Sequence, residues 1–343
     1  MTCGLKQAGI QVIAGVDLDL SVKDTYEYNN PGTSFVYSDI KRLQSTYFEK
    51  HFGVSKGDDN LILVGCSPCQ YYSTINTDHS KARKTKNLLM SFARFIEYYR
   101  PGYVIVENVP GIETNKESVL PLFLKKLNSI GYSTIVKGVI DLSYFGVPQS
   151  RKRFSLIATR IAGVNLHLPL PDKKPAILRD YIGEANGFPK LNAGHRDETD
   201  FFHSCSGLSH INLMRIRKTR HNGGGRLDWA KDPELQLPCY IGKDDSFKDN
   251  YGRMIWEKPS PTITTKFLSI SNGRFGHPEE DRGLSVREGA TIQTFPKTYV
   301  FKTTKMSDAA KIIGNAVPCE YAKRLGLVLI DNHPEAIICN KTS

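Results

Sequence analysis

At 343 residues the chain is long enough to bury a large core, and its length suggests two domains. With 40% hydrophobic and 24% charged residues it has a soluble, globular composition; no apolar run approaches the ~20 residues of a membrane span, and the N-terminus lacks the form of a signal peptide. Seven scattered cysteines argue against a disulfide framework and for a reducing cytoplasm, while the net charge of +11 favours a polyanionic partner such as nucleic acid.

In chain order, Val12–Asp19 alternates loosely between apolar and polar residues and predicts a strand closing in carboxylates. An acidic residue there commonly accepts from ribose hydroxyls; Asp17 suits that role, and Asp19 suits a helix-entry cap better. After the Pro31-Gly32 turn, Phe35–Ile40 predicts a second strand with Asp39 near its end. Leu61–Val64 is a third, bounded by Gly65 and followed by Cys66-Ser67-Pro68-Cys69-Gln70. A thiol at such a strand tip, close to a helix start, is favoured as thiolate. Lys84–Tyr99 reads as a helix with Leu88, Phe92, Phe95, Ile96 and Tyr99 on one face, stopped by Pro101-Gly102. Tyr103–Glu107 predicts a fourth strand ending in Glu107-Asn108-Val109-Pro110-Gly111. A helix burying Leu120, Phe123, Leu124 and Leu127 closes at Gly131, and Thr134–Leu142 and Arg153–Thr159 are further strands around the loop from Tyr144 to Lys152.

This rhythm predicts an α/β fold, a doubly wound, mostly parallel sheet with ligands at the carboxyl ends of its strands. Asp17, Asp39, Cys69 and Glu107 converge there from four strands. Beyond about Arg160 the alternation breaks, so residues 166–305 read as a smaller, irregular domain set between 1–165 and the helices of 306–343, which return to the first domain. The irregular stretch holds Arg215-Ile216-Arg217-Lys218-Thr219-Arg220 and His221-Asn222-Gly223-Gly224-Gly225-Arg226. Arg217, Arg220 and Arg226 beside a glycine hinge suit a loop along phosphates; a solvated charge run explains them equally well.

The cysteine pair leaves two chemistries open: Cys69 as a carbon-attacking nucleophile, or Cys66 and Cys69 as a redox dithiol. His203, Cys205 and His210 cluster without a second C-x-x-C, short of a four-ligand zinc set.

Pro68-Cys69-Gln70, Glu107-Asn108-Val109, Gln149-Ser150-Arg151-Lys152-Arg153, Arg282-Gly283-Leu284-Ser285-Val286-Arg287-Glu288 through Gln293-Thr294-Phe295-Pro296, and Gly314-Asn315-Ala316-Val317-Pro318 occur in that order. Together they resemble the DNA cytosine-5 methyltransferases over nearly the whole chain. The resemblance implies that Cys69 attacks C6 of a flipped cytosine, that Glu107 serves the N3 edge, and that Arg153, supported by Arg151, holds O2. S-adenosyl-L-methionine is the implied cofactor: Asp17 on its ribose, Leu18 on its adenine, Asp39 and Ile40 at the adenine amine, Pro68 beside it, and Asn315, Ala316 and Val317 closing the methionine end. Core packing competes for Leu18, Ile40 and Val317, and a salt bridge for Arg151. Duplex DNA is the implied partner, met by Gln70, by Ser73, Lys81 and Arg83 in a loop over residues 71–86, and by the irregular domain in the major groove. A monomer in the cytoplasm follows, with a cognate restriction endonuclease as a companion outside any stable complex.

The family opens on a central strand and a Phe-x-Gly-x-Gly turn, whereas Met1-Thr2-Cys3-Gly4-Leu5-Lys6-Gln7-Ala8-Gly9 aligns with the helix after them. The expectation is that Met1 is an internal start, since a central strand buries ~5 apolar residues at ~1.5–3 kcal/mol each. A DNA-binding protein that transfers no methyl group, or a tRNA-directed relative, are the alternatives to a DNA methyltransferase.

Overall fold

The computed structural model describes residues 1–66 and 87–333. Helix α1 (Thr2–Gln7) leads into β1 (Ala14–Asp17), α2 (Lys23–Asn29), β2 (Ser34–Tyr37), α3 (Tyr47–Phe52) and β3 (Ile62–Gly65). Then come α4 (Leu88–Tyr99), β4 (Tyr103–Asn108), α5 (Gly111–Thr114), α6 (Leu120–Ser129), β5 (Thr134–Asp141) and β6 (Lys152–Thr159). Asp19 caps the turn after β1 by accepting from the Ser21 amide, the role its sequence context suggests.

The strands form two ladders, β1–β2 and β3–β4–β6–β5. β1–β2 and β3–β4 are parallel, as expected; β6 is antiparallel to both β4 and β5. The connection from Asp141 to Lys152 is too short for a crossover, so it returns as a hairpin, and β6 slots between β4 and β5. Among the described residues the two ladders are not hydrogen-bonded to each other.

β4 is buried along its whole length because both faces are covered. Val104 and Val106 pack with Phe92 and Ile96 of α4 and Phe123 and Leu127 of α6. Tyr103 and Ile105 face the other way, onto Leu5 and the last helix. Continuous apolar runs, rather than alternation, are what a strand buried on both faces requires.

After β6 the chain is largely irregular, with α7 (His210–Lys218), α8 (Val286–Ile292), α9 (Met306–Asn315) and α10 (Cys319–Asp331). Ile216, Trp229, Leu235, Tyr251 and Ile270 make a small core of their own. Of the two closing helices, α10 packs on α1 and the sheet, while Ala309, Ala310 and Ile313 of α9 join Ile292, Phe295 and Phe267 instead. Gly314 allows that contact: a Cβ there would lie 2.4 Å from the Thr264 carbonyl carbon and the Thr265 nitrogen. Among the described residues no helix is long and apolar enough to cross a membrane.

Candidate active site

The register of β4 on β6 sets Glu107 opposite Ser155. Arg153 lies two residues away on the same face of β6, and its Nε reaches Glu107 Oε1 at 3.0 Å, with both side chains mostly buried. Arg153 also donates from Nη1 to its neighbour's carbonyl, Lys152 O, at 2.7 Å. Beneath them the Tyr321 hydroxyl of α10 donates to Ser155 Oγ at 2.8 Å. Burial, and the nearby Glu107 carboxylate, hold the Tyr321 phenol far above its usual range, so it remains a donor. The result is a carboxylate and a guanidinium at the carboxyl end of β4, on a buried polar floor.

Arg151, two residues before Arg153, is held by backbone carbonyls. It is buried, donating from Nη1 to Ile263 O at 3.1 Å and from Nη2 to Ala316 O at 3.2 Å. Burial, and then Arg153, push its guanidinium down to about 9, which leaves it a cation at neutral pH. These two bonds tie the entry to β6 to the 260–263 strip and to the turn after α9, a structural role beside the catalytic one expected of Arg151. Gln149 joins the same seam, pairing with Gln293 and accepting from the Ile263 amide.

At the other end, β1 and β2 finish side by side, with Ser38 N donating to Asp17 O. Asp17 Oδ1 accepts from the Asp19 amide at 2.8 Å, and Leu18 beside it is 62% exposed. Asp19 binds Lys311 of α9 at 2.6 Å, which brings α9, and Asn315 at its exposed end, toward the tip of β1. Lys311, then Ser21, hold the Asp19 carboxyl below its ordinary range. Asp39 Oδ1 accepts from the Lys41 amide, and half-buried Ile40 packs against Leu43, Phe95 and Tyr99. Val317 is buried with Leu5, Tyr321 and Leu325, the core packing that competes with a cofactor role for it. Ala316 offers a carbonyl already taken by Arg151 and Gln293.

Of the residues expected on DNA, Arg217 and Arg220 are exposed, Arg217 lying 3.7 Å from Asp281. Arg226 is not: it is 2% exposed, and its guanidinium donates to the carbonyls of Lys243, Ser246 and Phe247. Reading it as a phosphate contact is corrected, since its guanidinium is buried on those carbonyls, with Asp244 3.7 Å from Nη1. His203 is not placed as a metal ligand, since one ring nitrogen meets Ser285 Oγ at 2.8 Å and the other the Pro189 carbonyl at 3.1 Å. Pro68, Cys69, Gln70, Ser73, Lys81 and Arg83 lie outside the described residues.

Sequence reading passed over Ser155, Tyr321 and the 260–263 segment. Tyr321 sits at an apolar position of an amphipathic helix, where nothing marks it as polar floor. Ser260 and Ile263 show their role only through contacts with residues more than a hundred positions earlier, Ser150 N with Ser260 O and Ile263 N with Gln149.

Comparison with known proteins adds to this geometry. The C-5 cytosine-specific DNA methylase family matches residues 1–331. The chain is 36% identical over 325 residues to the Type II methylase M.HgiDII of Herpetosiphon aurantiacus, covering 93% of this chain and 88% of that protein. It is 33% identical over 273 residues to the Type II methyltransferase M1.BsuMI of Bacillus subtilis (strain 168), covering 78% and 60%. Among solved structures, Spodoptera frugiperda DNMT2, in a mutant form, superposes with TM-score 0.63 at 18% identity, over 95% of each chain.

Proposed function

Because the chain belongs to the C-5 cytosine-specific DNA methylase family, we propose that it methylates C5 of cytosine within a specific duplex DNA sequence, through a covalent Cys69 adduct on a flipped base. The coarser part follows from membership: it is a DNA (cytosine-5-)-methyltransferase, and the Type II names of its relatives point to a restriction-modification setting.

The tip of β1 fits S-adenosyl-L-methionine. Asp17 has a carboxylate oxygen beyond the one held by the Asp19 amide, suited to ribose hydroxyls, and the exposed Leu18 offers an apolar face to a planar base. Asp39 and Ile40 would flank the adenine, Pro68 would lie beside it, and Asn315 would reach the amino-acid end. Bound there, the cofactor supplies an electrophilic methyl group.

The protein's own residues do the rest. Cytosine C5 is a poor nucleophile until C6 is attacked; the Cys69 thiolate forms the C6–S bond and leaves an enamine-like C5. Glu107 serves the N3 and exocyclic amine edge, where charge develops, and Arg153 Nε fixes its carboxylate while the guanidinium faces O2. Once C5 carries the methyl group, loss of the C5 proton and elimination of the sulfur restore the ring and free Cys69. A stacked base cannot present C6 to a thiol, so the cytosine leaves the duplex at a cost of a few kcal/mol. Arg217 and Arg220, with Gln70, Ser73, Lys81 and Arg83, would contact the DNA.

The observation that carries this reading is the buried Glu107–Arg153 pair at the carboxyl end of β4. Labelled methyl transfer tests it: label should enter duplex DNA as 5-methylcytosine and not tRNA, Cys69→Ser should abolish it, and Cys66→Ser should retain it. Equal loss on substituting either cysteine would favour dithiol chemistry.

A further inference from the structure

Gln149 and Gln293 are both fully buried, come from segments 144 residues apart, and have every polar atom engaged. Gln149 Nε2 donates to Gln293 Oε1 at 2.7 Å and to Ile292 O at 3.2 Å, while its Oε1 accepts from Ile263 N at 3.1 Å. Gln293 Nε2 donates to Ile313 O at 2.7 Å and to Ala316 O at 3.3 Å. Reversing either amide would set an NH2 against an amide donor, or an oxygen against carbonyls, so the partners fix both orientations.

Arg151 closes the circuit. It donates to the carbonyl of the same Ile263 whose amide binds Gln149, and to the same Ala316 carbonyl that binds Gln293. The hydrogen bonds run in a ring from Gln149 to Gln293, Ala316, Arg151, Ile263 and back to Gln149. Four segments meet in it: the entry to β6, the 260–263 strip of the irregular half, the end of α8 at Gln293, and the turn after α9. Arg153, the partner of Glu107, is two residues beyond Arg151 on β6. Asn315 adjoins Ala316.

We propose that Gln149 and Gln293 are positioning residues for methyl transfer: their ring sets the start of β6, and so the reach of Arg153 and Glu107, against the 260–263 strip and the Asn315 turn. Neither glutamine touches the reacting atoms. A closed ring of buried hydrogen bonds has one geometry, whereas apolar contacts of the same size tolerate sliding. This inference rests on the methyltransferase reading above.

Gln293→Leu is the informative variant, because the carbonyls it releases keep other donors: Ile313 O holds Ala316 N, and Ala316 O holds Arg151. Gln293→Leu, Gln149→Leu and the double variant are compared with Tyr132→Phe, which removes a buried hydrogen bond to Pro101 O remote from the site. The expected result is a kcat at least tenfold lower in each glutamine variant, with KM for duplex DNA and for S-adenosyl-L-methionine within threefold. The double variant should be no worse than the worse single one, and Tyr132→Phe should lower Tm with kcat unchanged. Glutamine variants that lose Tm but keep kcat, or losses that multiply in the double variant, would overturn the proposal. An inactive wild-type chain would instead overturn the function it rests on.

Discussion

Arg153 and Glu107 are joined diagonally across antiparallel strands, Nε to Oε1 at 3.0 Å, with Ser155 between them in register and Tyr321 beneath. Glu107→Gln keeps the size of the side chain and removes its charge and its proton. Methyl transfer should fall about 10²–10⁴-fold with the melting curve little changed. Arg153→Leu should do more harm to the fold: a carboxylate left unpaired in this mostly buried place costs about 3 kcal/mol. Chemical denaturation of the two variants separates the effects.

Arg226 and Arg220 lie six residues apart and should behave oppositely. Arg226→Lys loses a fork that spans three carbonyls and should destabilise the chain by about 1–3 kcal/mol. Arg220→Ala, at an exposed position, should leave stability within about 0.5 kcal/mol and weaken DNA binding across sequences. Its salt slope should shrink by about 1. Binding isotherms at several salt concentrations, with Tm alongside, decide it.

Gly314→Ala pits two effects of opposite sign. Alanine is the better helix former by about 1 kcal/mol. A methyl group, however, would sit 2.4 Å from the backbone of Thr264 and Thr265, which cannot swing aside as a side chain can. The clash should win, with a loss of about 1–3 kcal/mol and a fall in kcat as the seam opens.

Stability should fall on mild acidification. Burial depresses the pKa of His277, set among Glu288, Arg282, Glu280 and Glu279, and of His203, near Glu288 and Arg282. A base whose folded pKa is lowered leaves the unfolded chain holding more protons as pH drops below about 6.5, so acid favours unfolding. Each histidine adds up to about 1.4 kcal/mol per pH unit in that window. Tm measured from pH 7 to 5 should decline, and His203→Gln should shallow the slope; a flat profile would contradict the assignment.

The alternating strands and helices of residues 1–160 were legible because burial on both faces of β4 demands continuous apolar runs, and because Asp17, Asp39 and Glu107 lie at or within two residues of strand ends. β6 antiparallel between β4 and β5 was not, since periodicity carries no strand direction. The carbonyl partners of Arg151 and Arg226 were not legible for one reason: an arginine reads as charge, while Ile263 and Ala316, or Lys243 and Phe247, lie far off in sequence or in loops without pattern. Ser155 and Tyr321 were silent because strand pairing and helix docking, not spacing, bring them together.

The central claim is that Cys69, not Cys66, bonds to C6 of a flipped cytosine. The most direct measurement is covalent trapping on duplex DNA carrying 5-fluorocytosine, with S-adenosyl-L-methionine present, followed by peptide mapping of the adduct. The expected result is one stable adduct on Cys69, absent in Cys69→Ser and retained in Cys66→Ser. No adduct in a chain that methylates DNA, or an adduct on Cys66, would contradict it.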